Sequence, residues 1–123
     1  MELYLLLTAL SGIAALVGIV AILRPTQLLE SKGARVTLAA VIWTREVGVL
    51  ILAQGITAFL LRAEPLSPAL RAFLVGAALT QWGLLPIELV AYRRGELTKL
   101  GGVMPNSVLH VVLGCALLHR ALF

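Results

Sequence analysis

The chain has 123 residues, of which 60% are hydrophobic and only 13% are charged, with a formal net charge of +4. This composition excludes a soluble globular domain, which usually carries about 25% charged residues, and predicts an integral membrane protein in contact with the lipid bilayer. The positive charge does not predict nucleic-acid binding, because the basic residues lie between apolar runs and form no cluster interleaved with aromatic residues.

Four apolar runs are long enough to cross a membrane as helices, since the hydrocarbon layer requires about 20 residues. In chain order they are predicted over residues 3–23, 36–61, 70–91 and 103–123. Arg24-Pro25 ends the first run, and Gly101-Gly102 precedes the fourth. We therefore predict an all-α fold, an integral membrane four-helix bundle that forms a single transmembrane domain over residues 1–123.

The basic residues of the loops predict an orientation in the membrane. Loops 24–35 and 93–102 together hold six Lys and Arg residues, whereas the opposite side of the bundle holds three. Short loops rich in Lys and Arg usually stay in the cytoplasm. Both of these loops are therefore predicted to be cytoplasmic, with both termini outside.

Ionisable residues inside the predicted spans are the strongest indication of a functional site, because each one is costly to insert. At 100° per residue, Gln81, Glu88 and Tyr92 share one face of the third span, and Asn106 and His110 share one face of the fourth.

The second span carries a similar polar stripe. Glu46 and Gln54 share one of its faces. Because Glu46 follows the first loop, while Glu88 and His110 flank the third, all three are predicted to lie in one layer near the same membrane surface.

We interpret this layer as an intramembrane pocket that binds a lipophilic small molecule. A carboxyl group removed from water holds its proton more firmly, so it can serve as an acid or base near neutral pH. Isomerisation, cyclisation and epoxide opening are reactions that such a pocket could catalyse. The predicted acid–base residues are Glu46, Glu88 and His110. The predicted substrate-binding residues are Arg45, Asn106, Gln54, Gln81, Trp43 and Tyr92.

Structural interpretations of the same residues remain open. Arg45 and Glu46 could lie at headgroup level, and Glu88 could pair with Arg93 or Arg94. A rival function is that of a non-catalytic accessory or assembly subunit of a larger membrane complex, for example a quinone-linked one. No cofactor-binding motif is present, and one cysteine provides no metal-binding cluster, so neither a cofactor nor a metal is predicted.

Glycines at heptad spacing form a second pattern, which lies roughly opposite the polar stripes. Small residues at this spacing let helices approach closely, either within the bundle or at a homodimer interface. The glycines are Gly48 and Gly55 in the second span and Gly76 and Gly83 in the third.

The chain resembles the DoxX-like group of small four-helix membrane proteins. The resemblance covers most of the chain and rests on its length, its four spans, the sequence Arg45-Glu46-Val47-Gly48 with the later Gly55, and the last span with its Asn and His. It implies a role beside quinone-linked oxidases or another activity of that mixed group. A more distant resemblance to EXPERA-type membrane isomerases implies a small bundle around an apolar substrate, and assigns no residue roles here.

Overall fold

The computed structural model describes residues 2–123, and over that range the chain folds into five α-helices. In chain order they are α1 (Leu3–Leu23), α2 (Pro25–Ser31), α3 (Leu38–Leu61), α4 (Pro68–Arg93) and α5 (Leu100–Leu122). All except α2 are long and apolar enough to cross a membrane. The chain is therefore an all-α, multi-pass membrane bundle of four spanning helices, as the sequence predicts, with one short helix added between the first two.

In α3 and α4 a capping residue, rather than the first apolar side chain, decides where the helix begins. The Thr37 hydroxyl accepts a hydrogen bond from the backbone N–H of Ala40 at 3.1 Å and so caps α3. Ser67 caps α4 in the same way, and Pro68 occupies the first position of that helix, where its missing N–H costs nothing. As a result α3 begins two residues later than predicted, and α4 begins two residues earlier.

The short helix α2 lies in a segment predicted as a loop. Pro25 starts it, and the chain leaves it at Gly33, whose φ of +69° is in the left-handed region that favours glycine. Gly95 makes the corresponding turn after α4 with a φ of +73°.

Helices α1 and α3 pack closely through small residues. A methyl group built on Gly18 would lie 2.9 Å from the carbonyl oxygen of Gly48, and one on Gly55 would lie 2.8 Å from the Cβ of Ala14. Such contacts leave no room for any larger side chain. In a bilayer, where lipid is as apolar as the helix, this close packing is a main source of helix association.

Helices α4 and α5 form a second close pair, and the contacts between the two pairs are far fewer. The apolar core that joins the pairs lies in one half of the bundle. Its residues come from the start of α1 and α4 and the end of α3 and α5, which are all at the same membrane surface in an up-and-down bundle. They are Leu6, Leu7, Leu10, Ala58, Leu70, Leu74, Ala77, Ala78, Leu113, Leu117 and Ala121.

In the other half of the bundle the two pairs are joined through their loops. The backbone N–H of Lys99 donates to the carbonyl of Lys32 at 3.2 Å, and the Thr98 hydroxyl donates to the carbonyl of Gly33 at 3.1 Å. Gly102 lies so close to the carbonyl of Ser31 that a side chain there would overlap it. We call this contact between residues 31–33 and 98–102 the loop clasp. It holds the first and third loops together on one side of the membrane.

Candidate functional site

A buried carboxylate on α4 is the centre of the polar residues in the bundle. Glu88 is 7% exposed, and it forms an ion pair with the amine of Lys32. Its Oε1 also accepts a hydrogen bond from Asn106 Nδ2 at 2.7 Å, and its Oε2 accepts one from the Ser107 hydroxyl at 3.2 Å. Three donors around one carboxyl group fit the ionised form, which only accepts hydrogen bonds.

The hydrogen bonds continue from Glu88 through α5 and back to α4. Asn106 Nδ2 lies 2.9 Å from Nε2 of His110, and Nδ1 of His110 lies 2.6 Å from Oε1 of Gln81. Gln81 is itself buried, with 8% of its surface exposed. We call the connected side chains Lys32, Glu88, Asn106, His110 and Gln81 the polar chain.

Helical spacing and the loop clasp together bring the polar chain into one place. Gln81 and Glu88 are two turns apart on α4, and Asn106 and His110 are one turn apart on the facing side of α5. Lys32 comes from outside the spanning helices. The clasp fixes its backbone above the gap between the helix pairs, so that its long side chain reaches down to Glu88.

An apolar cavity of about 360 Å³ lies beside the polar chain, between the two helix pairs and under α2. Lys32, Glu88, Asn106 and His110 form its polar side. The remaining wall is apolar apart from the hydroxyl of Thr44 and the indole N–H of Trp43, and is made by Val17, Ala21, Leu28, Leu29, Trp43, Thr44, Val47, Ile51 and Leu84. Its volume lies within the range typical of small-molecule sites.

A smaller cavity of about 70 Å³ continues toward the closed half of the bundle. It shares Asn106 and His110 with the larger cavity, and adds Gln81, Gln54 and Thr80. Gln54, one of the predicted substrate-binding residues, therefore lies on this inner cavity. Trp43, another of them, lies on the wall of the outer one.

Glu88, Asn106, His110 and Gln81 are the predicted site residues that contact one another. Glu46 lies elsewhere: it is exposed on α3, as is Arg45, and across residues 2–123 neither makes a side-chain hydrogen bond or an ion pair. Tyr92 is half-buried and lines neither cavity.

Two residues of the site do not follow from the sequence patterns. Lys32 belongs to a loop, where a lysine indicates topology, and only the clasp explains why it reaches Glu88. Ser107 follows Asn106 directly, and its hydroxyl reaches the second oxygen of Glu88. The sequence does indicate that Glu88 needs a cation, since an unpaired charge inside a span is costly, but it does not identify that cation as Lys32.

The two pairs of heptad glycines have different positions. Gly48 and Gly55 are buried against α1, so they serve packing within the bundle. Gly76 and Gly83 are exposed on α4, with no atom within 4 Å of an added Cβ.

The side chains of the site are arranged to hydrogen-bond to one another. Within residues 2–123, no group of three or more His, Cys, Asp or Glu side chains is gathered closely enough to hold a metal ion. The polar chain instead joins a carboxylate to an imidazole through one amide, beside an apolar cavity.

Comparisons with known proteins find no match for this chain: neither a family model, nor a curated protein, nor a solved structure matches it. The resemblance to DoxX-like and EXPERA-type proteins therefore stays a prediction. The function has to be inferred from the site.

Proposed function

We propose that this chain binds a small lipophilic molecule in the cavity beside the polar chain, with its apolar part between the helix pairs and its polar head at Asn106 and His110. The observation that carries the proposal is the coincidence of a cavity of about 360 Å³ with the buried polar chain. Sites for small apolar ligands combine a mainly apolar wall with a few converging polar groups, which is the arrangement seen here.

The gap between α3 and α4, which faces the bilayer, supports a lipophilic ligand. No extensive contact joins α3 to α4, and Trp43 and Val47, which line the cavity on α3, are 66% and 46% exposed. A molecule dissolved in the membrane can therefore pass between these helices. The loop clasp and α2 cover the cavity on the aqueous side.

A mass-spectrometric comparison tests the binding directly. Protein purified in mild detergent is extracted with organic solvent, using wild type, Glu88→Gln and, as a matched control, Glu46→Gln. We expect a defined apolar molecule with wild type and Glu46→Gln that is lost or strongly reduced with Glu88→Gln. Thermal stability is measured on each variant, so that loss of the molecule is separated from loss of the fold. Bulk lipid alone in all three extracts would contradict the proposal.

General acid–base catalysis on the bound molecule is the extension of this proposal that the polar chain supports. Nε2 of His110, once released from the amide of Asn106, would take a proton from the polar head and later return it, and Glu88 would set the charge beside it through Asn106. Isomerisation, cyclisation and epoxide opening are the reactions of interest. Since Arg45 and Glu46 are exposed, the proposal gives them no part in the chemistry.

An accessory subunit is the second candidate, and the exposed glycines of α4 favour it. Gly76 and Gly83 leave a groove of backbone that a helix of a larger complex, or of a second copy, could approach closely. Gly76→Leu and Gly83→Leu should then abolish assembly without loss of the apolar molecule. Gly48 is unsuitable for this test, because it is buried against α1.

The charge of the clasped loops supports a cytoplasmic position for them, with both termini outside. In a Cys115→Ser background, Thr26→Cys and Glu96→Cys should react with an impermeant maleimide only after the cytoplasmic surface is opened. Glu64→Cys should react from outside. The reverse pattern would overturn the orientation.

A further inference from the structure

The direction of each hydrogen bond in the polar chain follows from the charge of Glu88. A carboxylate oxygen only accepts, so the Asn106 atom 2.7 Å from it has to be the amide nitrogen. That same nitrogen also lies 2.9 Å from Nε2 of His110, which must then be an acceptor without a proton. The neutral imidazole carries its proton on Nδ1 and donates it to Oε1 of Gln81 at 2.6 Å.

These directions leave two polar atoms without a hydrogen-bond partner in the protein, and both belong to residues that line the inner cavity. Both amide hydrogens of Asn106 are used, so its Oδ1 remains as an acceptor, and Gln81 uses Oε1, so its Nε2 remains as a donor. Both residues line the cavity of about 70 Å³ that continues from the larger one. Neither atom is among the fully buried and unpaired atoms of residues 2–123, so each keeps some accessible surface for a further hydrogen bond.

A ligand head that satisfies both atoms has to donate one hydrogen bond and accept another. A hydroxyl group does both with a single oxygen, by donating to Asn106 Oδ1 and accepting from Gln81 Nε2. A ketone, an aldehyde or a quinone carbonyl only accepts, so it would leave Asn106 Oδ1 desolvated and unpaired. Sites built to pair a hydroxyl reject analogues that lack it, because their own polar group is then left unpaired.

We infer that the ligand of this cavity is a lipophilic alcohol rather than a carbonyl compound, with its hydroxyl group between Gln81 and Asn106. The inference rests on the proposed function, since it names the chemical class of the molecule that the cavity binds. The apolar wall around Val17, Ile51 and Leu84, which both cavities share, then surrounds the first carbons of its tail.

A matched pair of probes tests this. Wild type is reconstituted in nanodiscs of phosphatidylcholine, and 2-undecanol and 2-undecanone are titrated at equal mole fraction in the bilayer. Binding is followed by the fluorescence of Trp43, which lies on the cavity wall, with Trp43→Phe as the control for signal from Trp82. We expect the alcohol to bind about fivefold more tightly than the ketone, the worth of one net hydrogen bond.

Two variants locate the hydroxyl group. Asn106→Leu removes the acceptor and should bring the two affinities to the same value. Asn106 also hydrogen-bonds to Glu88, so its replacement can disturb the site in other ways. Gln81→Leu is therefore used as a second variant, because it removes a donor that both probes use. Both probes should then bind more weakly by a similar factor, with the preference for the alcohol retained. Thermal stability is measured on each variant before it is titrated.

The outcomes separate the two proposals. If the ketone binds as tightly as the alcohol, or more tightly, the alcohol is overturned as the ligand class while binding in the cavity stands. If neither probe gives a saturable change that Trp43→Phe abolishes, the cavity does not bind small lipophilic molecules, and the proposed function fails with the inference.

Discussion

Helices α3 and α4 both carry a glutamate and two glycines a heptad apart, but α3 buries its glycines whereas α4 buries its glutamate. Each has a polar stripe with a glutamate on one face and two glycines a heptad apart on roughly the other. In α3 the glycines Gly48 and Gly55 are buried and Glu46 is exposed. In α4 Glu88 is buried and the glycines are exposed.

In a bilayer, the partner helix decides which face of a span turns inward. In water, the apolar face of a helix would turn inward. Lipid is as apolar as a leucine side chain, so in a bilayer apolarity does not decide which face of the helix is buried. α1 presents Ala14 and Gly18 to α3, and such a surface suits glycine. α5 presents Asn106 and His110 to α4, and these suit the carboxylate.

Replacing the two glutamates in turn should show the widest difference between α3 and α4. Glu88→Leu leaves Lys32 without its partner and Asn106 with one amide hydrogen unpaired. Because the Lys32 side chain is 25% exposed, we expect a loss of about 3 kcal/mol in the free energy of unfolding, the lower end for a broken buried ion pair. Glu46→Leu should cost nothing, because Glu46 is exposed and holds no hydrogen bond. Reversible unfolding in mixed detergent micelles measures both. Equal losses would remove the distinction between the two helices.

A smaller effect is expected from filling the glycine positions. Gly48→Leu forces atoms into a place where even a Cβ would lie 2.9 Å from that of Ala21. Overpacking of this kind usually costs about 1–3 kcal/mol of folding free energy. Gly76→Leu meets no atom within 4 Å of its Cβ and should leave the monomer as stable as wild type. The same unfolding assay serves, and a loss at Gly76 would show that its face is packed after all.

The smallest effect is expected from the two glutamines. Gln81→Leu removes the acceptor for Nδ1 of His110, and interhelical hydrogen bonds in membranes contribute about 0.6 kcal/mol on average. Gln54→Leu should change stability less, since Gln54 is half-buried and makes no hydrogen bond to another side chain among residues 2–123. A double variant, Gln81→Leu with His110→Leu, measures how much of the loss comes from the interaction between these two residues. Additive losses at Gln81 and His110 would contradict the contact.

The spanning helices follow from the sequence because hydrocarbon imposes one strong condition, a run of about 20 apolar residues. The short helix α2 does not follow, since a segment of seven residues meets no such condition. It begins at Pro25 and is followed by the turn at Gly33, and its apolar residues Leu28 and Leu29 line the cavity below it.

Within the site, periodicity could predict the pairs on one helix and not the pairing between helices. Spacing alone put Gln81 with Glu88, and Asn106 with His110, and these do lie together. Spacing also predicted a polar inward face for α3 that includes Glu46. Nothing in the sequence of α3 indicates that its glycines, rather than this face, pack against α1. The sequence indicates that Glu88 needs a cation, but it does not indicate Lys32, because the position of Lys32 depends on a contact between two loops.

The closed half of the bundle makes the cavity a dead end. Leu6, Leu74 and Leu117 are fully enclosed there, so no path continues past the inner cavity to the other membrane surface. A molecule that entered the cavity as proposed would therefore return to the half of the membrane from which it came, so the bundle would hold it without carrying it across.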